Sequence, residues 1–76
     1  MFNFNTMNNQ HQSIISNREC QVLQMVAVGK RSLDIASQFE LSVYTINNHR
    51  KNMLRKTGCS NTTQLIIWGM KNGLIK

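Results

Sequence analysis

Seventy-six residues with nine Lys and Arg against three acids, a formal net charge of +6, make one small domain near the lower size at which a single core supports itself. That size leaves little room for a substrate-sized cleft, and a sequence pI of about 10.0 passes the basic threshold of a nucleic-acid-binding domain. Without a run of about 18 apolar residues or a signal-peptide core, the chain reads as soluble, cytoplasmic and without a membrane partner. Cys20 and Cys59 lie far apart with no Cys or His at metal spacing, so they read as reduced thiols, with no metal and no cofactor expected.

Residues 1–13, MFNFNTMNNQHQS, are rich in Asn and Gln and carry no Lys or Arg, which predicts a flexible N-terminal arm. Order is expected to begin at Ile14-Ile15. Ser16 and Glu19 have the capping-box spacing, so a first helix should start near Asn17. Val22, Leu23, Val26 and Ala27 form its buried stripe, Cys20 packs beside them, and Gly29 supplies the left-handed residue that ends it. Arg18, beside Glu19, reads as solvated or locally paired.

Lys30 and Arg31 make a basic turn. Ser32 is expected to cap a short second helix, with Asp34 near its positive end and Ile35, Ala36 and Phe39 inward. Glu40-Leu41-Ser42 is the turn into a third helix, with Leu41 as a core plug and Ser42 as N-cap. Two helices joined by about three residues, the second basic and amide-rich, form the helix-turn-helix arrangement.

The third helix spans Ser42 to Thr57. Val43, Ile46, His49 or Arg50, and Met53 form its inner row. Tyr44, Asn47, Asn48, Lys51 and Arg55 occupy the opposite side, where amides can pair with base edges and cations with phosphate. No acid follows Glu40, and a one-signed face calls for an anionic partner. Asn61 and Gln64 offer the capping pair of a fourth helix ending before Gly73. Leu65, Ile66 and Gly69 suffice for its core face, so Ile67, Trp68 and Met70, with Lys71, are expected to form a dimer interface. Leu74-Ile75 folds back as a clip.

Catalysis finds no support. Three acids, two scattered cysteines and a His49 with no acid nearby in sequence make no constellation of nucleophile, base and orienting group, so no catalytic residue is assigned. Tyr44 alone is a poor stacking platform for RNA.

The pieces SNRECQVL, MVAVGK, DIASQFELS, TINNHRKNMLRKTG and the closing GLI, in that order and spacing, make the chain from Ile15 to Ile75 resemble the DNA-binding domain of the LuxR and GerE family of bacterial transcription regulators. The resemblance implies an all-α, four-helix helix-turn-helix domain over residues 14–76 that binds double-stranded DNA. It places the third helix in the major groove, with Asn47, Asn48 and Lys51 at base edges. Thr45, His49 and Lys56 resemble positions that face the DNA backbone or set the helix against it; Arg50 and Arg55 are assigned to phosphate, and Ser42, Lys30 and Arg31 complete the backbone set. The sequence departs from the family at Asn47, commonly Lys or Arg; at Leu33, commonly polar or basic; at Arg31, commonly a small capping hydroxyl; and at Thr57 and Thr62, commonly aliphatic and Arg.

Family members usually carry an N-terminal receiver or small-molecule-binding domain, and the short segment before the helical unit resembles the free-standing type, with no ligand domain in this chain. The expectation is a bacterial, sequence-specific transcription regulator acting on the nucleoid as a homodimer, with a larger LuxR-type regulator or RNA polymerase as a further partner. The rival expectation is an interaction protein that pairs with a full-length LuxR-type regulator and blocks or modulates it.

Overall fold

The structure, a computed structural model, describes residues 14–75; the expected arm over residues 1–13 lies outside them. Among the described residues four helices follow one another, α1 (Asn17–Ala27), α2 (Ser32–Phe39), α3 (Val43–Thr57) and α4 (Thr62–Lys71), with no strand. None of these helices is long and apolar enough to cross a membrane.

Each helix begins where a side chain can satisfy the free N–H groups of its first turn. At α1 the capping box is complete: the Ser16 hydroxyl accepts from the Glu19 N–H (3.0 Å), and the Glu19 carboxylate accepts from the Ser16 N–H (2.8 Å). Ser42 caps α3 by accepting from the Thr45 N–H (3.0 Å). Asn61 caps α4 by accepting from the Gln64 N–H (2.9 Å), while the Gln64 side chain reaches back to the Ser60 N–H (2.8 Å).

At α2 the expectation is corrected. The N-cap is Arg31, which has no side-chain acceptor, and Ser32 is already helical. Asp34, three residues on, accepts from the Arg31 N–H (3.1 Å), while the Ser32 hydroxyl turns to α3 instead.

Left-handed residues close the helices. Gly29 (φ 95°) follows α1 and Gly58 (φ 75°) ends α3. The end of α2 falls to Glu40 at φ 58°, ψ 42°, with the Leu41 N–H returning to the Ala36 carbonyl at 2.9 Å. The chain leaves α2 through that residue and brings Leu41 to the surface, 36 % exposed. Leu41 is therefore not the expected core plug; Phe39 and Val43 pack against the core on either side of the turn.

The core is a single cluster to which every helix contributes: Val22, Leu23 and Val26 from α1, Ile35 and Ala36 from α2, Ile46 and Met53 from α3, Leu65 from α4, with Ile15 and Leu74 closing the ends. Helix α3 is the hub, packing against each of the other three. The C-terminal clip forms as expected, with the Leu74 N–H bonded to the Gly69 carbonyl at 2.8 Å. Glycine inside α4 has a steric reason, since a Cβ at Gly69 would lie 2.7 Å from Ile75 Cδ1 and 2.9 Å from Leu23 Cδ2.

The left-handed backbone at Glu40 costs a residue with a Cβ about 1–2 kcal/mol. Glycine removes that cost but brings roughly 0.5–1 kcal/mol of extra chain entropy. Glu40→Gly is therefore expected to stabilise the domain by about 0.5–1 kcal/mol, measured by thermal or urea unfolding. Glu40→Gln, which removes the charge and keeps the Cβ, is the control expected to show no such gain.

Candidate nucleic-acid interface

Helix α3 separates its residues by chemistry. Ile46 and Met53 are fully buried, while Tyr44, Asn47, Lys51 and Arg55 are exposed and Asn48 is half-buried. At about 100° per residue, Asn47, Lys51, Tyr44, Arg55 and Asn48 fall within one arc of roughly 100°. That arc holds two amides, two cations and a phenol, and α3 contains no acid. An amide offers both a donor and an acceptor to a base edge, and a cation offers donors to guanine or phosphate.

Around this face stand the other expected contacts. Lys30 and Arg31 are exposed in the turn leading into α2, and the adjoining Ser32 touches Asn47, so this basic turn borders the amide arc. Ser42 and Thr45 share a hydroxyl contact of 2.9 Å at the start of α3. Arg55 donates to Asn52 Oδ1 at 3.3 Å and remains exposed.

Three of the expected backbone residues face groups of the protein itself, Lys56 while staying exposed, and Arg50 and His49 half-buried. Lys56 lies about 180° from Asn47 around the helix and meets Glu19, its ammonium 2.9 and 3.1 Å from the two carboxylate oxygens. Arg50 is tied on both sides, donating to Ser32 Oγ and to Thr62 Oγ1, each at 3.3 Å. His49 is half-buried, and its charge acts on Glu19. On α4, Ile67 and Met70 are 46 % and 58 % exposed, Lys71 is exposed beside them, and Trp68 is half-buried against the core.

Sequence reading missed the Glu19–Lys56 pair. Glu19 is 3 % exposed, too deep for a carboxylate that only caps a helix, and it sits 37 residues from its cation. Burial pushes its pKa up. The Ser16 N–H, the Lys56 hydrogen bond and charge, and the His49 charge outweigh that push and leave it below the ordinary value. Arg18 is likewise engaged, its guanidinium 4.5 Å above the Phe39 ring in a cation–π contact.

Comparison with known proteins identifies the family of this fold. The family model described as bacterial regulatory proteins of the luxR family matches residues 13–69. The chain is 35% identical to the transcriptional regulatory protein DegU of Brevibacillus brevis over 63 residues, 83% of this chain and 27% of DegU. It is 40% identical to the regulatory protein SdiA of Escherichia coli K12 over 60 residues, 79% of this chain and 25% of SdiA. It is 36% identical to the virulence-factor transcription regulator BvgA of Bordetella pertussis over 62 residues, 82% of this chain and 30% of BvgA. The chain thus spans about a quarter to a third of these relatives.

Because the folded pKa of Glu19 lies below its ordinary value of 4.5, its contribution to stability is present above that value and is lost as pH falls through the folded pKa. Lys56→Met leaves a buried carboxylate without its cation, at a cost of about 2 kcal/mol at neutral pH. Urea unfolding across pH 3 to 7 checks this, with the gap between wild type and variant closing toward the acid end. A gap independent of pH would separate the stability loss from Glu19.

Proposed function

The chain belongs to the luxR family of bacterial regulatory proteins, DNA-binding transcription regulators rather than enzymes, and from that premise we propose that it regulates transcription by reading double-stranded DNA with α3. In this reading α3 lies in the major groove with Asn47, Asn48 and Lys51 at base edges. Ser42, Thr45 and Arg55, with Lys30 and Arg31 from the neighbouring turn, meet phosphate. Arg50 and Lys56 hold the helix from behind, and His49 supports it. The observation that carries the reading is the acid-free arc of amides and cations opposite Ile46 and Met53.

The same proposal makes the working unit a symmetric pair joined through α4. Ile67 and Met70 are three residues apart on one exposed face, where adjacent turns of a helix meet a partner. Lys71 lies at the rim, and Trp68 packs beneath the face. A few phosphate contacts per copy give weak, salt-sensitive binding, each neutralised phosphate adding a slope of about −0.9 to the log–log salt dependence. Two copies roughly double that slope, and half-sites about one turn apart, roughly 34–36 Å, follow from a two-fold arrangement of major-groove helices.

The exposed Ile67 and Met70 also favour a second reading, in which the chain pairs through α4 with a full-length regulator of the same family and modulates it. A pure pairing protein tolerates the loss of Lys51.

Selection from a random duplex pool at about 0.15 M salt tests both readings. An enriched inverted repeat is expected. Lys51→Ala should lose about 1–3 kcal/mol of discrimination at one base pair per half-site, and Ile67→Glu with Met70→Glu should leave half-site reading but erase the fixed spacing. If nothing enriches while the protein captures a full-length luxR-type regulator, DNA reading by this chain is wrong.

A further inference from the structure

Asn47 differs from the other residues of the exposed arc, because one end of its amide is already engaged. Arg50 Nη2 donates to Thr62 Oγ1 at 3.3 Å, Arg50 Nη1 donates to Ser32 Oγ at 3.3 Å, and Ser32 Oγ donates to Asn47 Oδ1 at 2.7 Å. A guanidinium has only donors, so the Ser32 oxygen must accept from it, and its one proton is free for a single acceptor. Asn47 Oδ1 is that acceptor. Were the amide turned over, Nδ2 and Arg50 would both donate to the same oxygen and the Ser32 proton would lose its partner. The charged end of the chain therefore sets the direction of every bond in it.

We propose that the Thr62–Arg50–Ser32 chain fixes Asn47 as a hydrogen-bond donor toward DNA, with Oδ1 held inward and Nδ2 presented to the groove. This inference rests on α3 being the major-groove helix. It alters what Asn47 reads. Pairing an asparagine with adenine on two bonds needs both Oδ1 and Nδ2 on the base edge. A donor alone is best matched by guanine, whose N7 and O6 both accept, then by O4 of thymine; adenine offers it only N7 beside a competing N6 donor, and the amino group of cytosine refuses it. Ser32 and Arg50 thereby become positioning residues for specificity without touching a base.

The test compares site selection by wild type, Asn47→Ala, Ser32→Ala and Ser32→Thr, each checked for native helicity. Asn47→Ala identifies the base position that Asn47 reads as the one whose preference flattens. Wild type is expected to favour guanine there. Ser32→Ala should swing the adenine-to-guanine ratio roughly tenfold toward adenine, about the effect of one good pairing, while Ser32→Thr, which keeps the hydroxyl, should restore the wild-type profile. Adenine preferred by wild type, a profile unchanged by Ser32→Ala, or no position flattened by Asn47→Ala overturns the proposal. Amide orientation is measured separately by NMR on the free protein. With Oδ1 inward, the Asn47 side-chain amide protons should show at most weak cross-relaxation to the Ser32 Hβ protons, and strong cross-relaxation overturns the orientation. If wild type enriches no sequence, the DNA-reading proposal fails with it, while the NMR result still decides the orientation.

Discussion

Glu19 imposes the strictest condition on the fold. A carboxylate taken this far from water is costly unless nearly all its acceptor capacity is used. The Ser16 N–H supplies one bond and the Lys56 ammonium two more. These partners belong to the start of α1 and the last turn of α3, so both must be in place before the carboxylate can be buried. Neighbouring side chains enforce the same geometry. Ile15 precedes Ser16 and Met53 lies one turn before Lys56, and both are in the core. A buried pair of this kind adds little net stability over an apolar replacement. Its consequence here is registry, because it fixes how far α3 has advanced along α1.

A second polar tie fixes the rotation of α3. Around the helix, Lys56 and Arg50 lie on opposite flanks of the Ile46–Met53 seam, at about 60° to 80° and about 40° to 60° from its two residues. An apolar seam alone tolerates small rotations, since contact among methyl groups is not directional. Hydrogen bonds are directional. With Glu19 holding one flank and Ser32 and Thr62 the other, turning α3 in either direction breaks a charged hydrogen bond. The arc of Asn47, Asn48, Lys51 and Arg55 is consequently presented at one angle, the preorganisation that a base-reading surface requires.

What could be read in the sequence follows from the range of the interactions. The Ser16–Glu19 box, the Ser42 and Asn61 caps, and the left-handed Gly29 are decided within four or five residues, and each appears where spacing placed it. The inner rows of α1 and α3 were legible for the same reason. At Arg31 and Ser32 local chemistry pointed to the wrong cap, because the Ser32 hydroxyl had a partner fifteen residues away in Asn47. Leu41 misled in another way. Hydrophobicity says that a residue gains by burial, but the left-handed Glu40 determined where the chain could go. Arg50 reads as a phosphate ligand because charge is visible in a sequence, and resemblance places Lys56 at the DNA backbone or behind the helix, whereas the distant Glu19 and the hydroxyls of Ser32 and Thr62 that engage them carry no pattern linking them to α3. On the exposed arc itself, amphipathic spacing was sufficient to identify the residues, but not to say which end of the Asn47 amide faces outward.

The division of cations then bears on how strongly one copy can hold DNA. Of the nine Lys and Arg, Lys56 is committed to Glu19, Arg50 to two hydroxyls and Arg18 to the Phe39 ring. Lys30, Arg31, Lys51 and Arg55 remain around the exposed arc, and Lys71 sits on α4 with Ile67 and Met70. Two acids, Asp34 and Glu40, are exposed on or at the end of α2, on the helix that borders this basic turn. The Glu19–Lys56 pair already cancels within the net charge, and Arg50 and Arg18 keep their charge while their donors are engaged, so fewer cations can touch phosphate directly than the total suggests. In the proposed reading, two cations on the arc and two in the bordering turn give each copy a modest affinity that falls steeply with salt. On the proposed reading, such a surface gains more from a second copy, which doubles the phosphate contacts without altering the first, than from further cations on α3, where charge would compete with the amides for base edges. In that proposal the apolar α4 face and the sparing use of charge on α3 are parts of one solution.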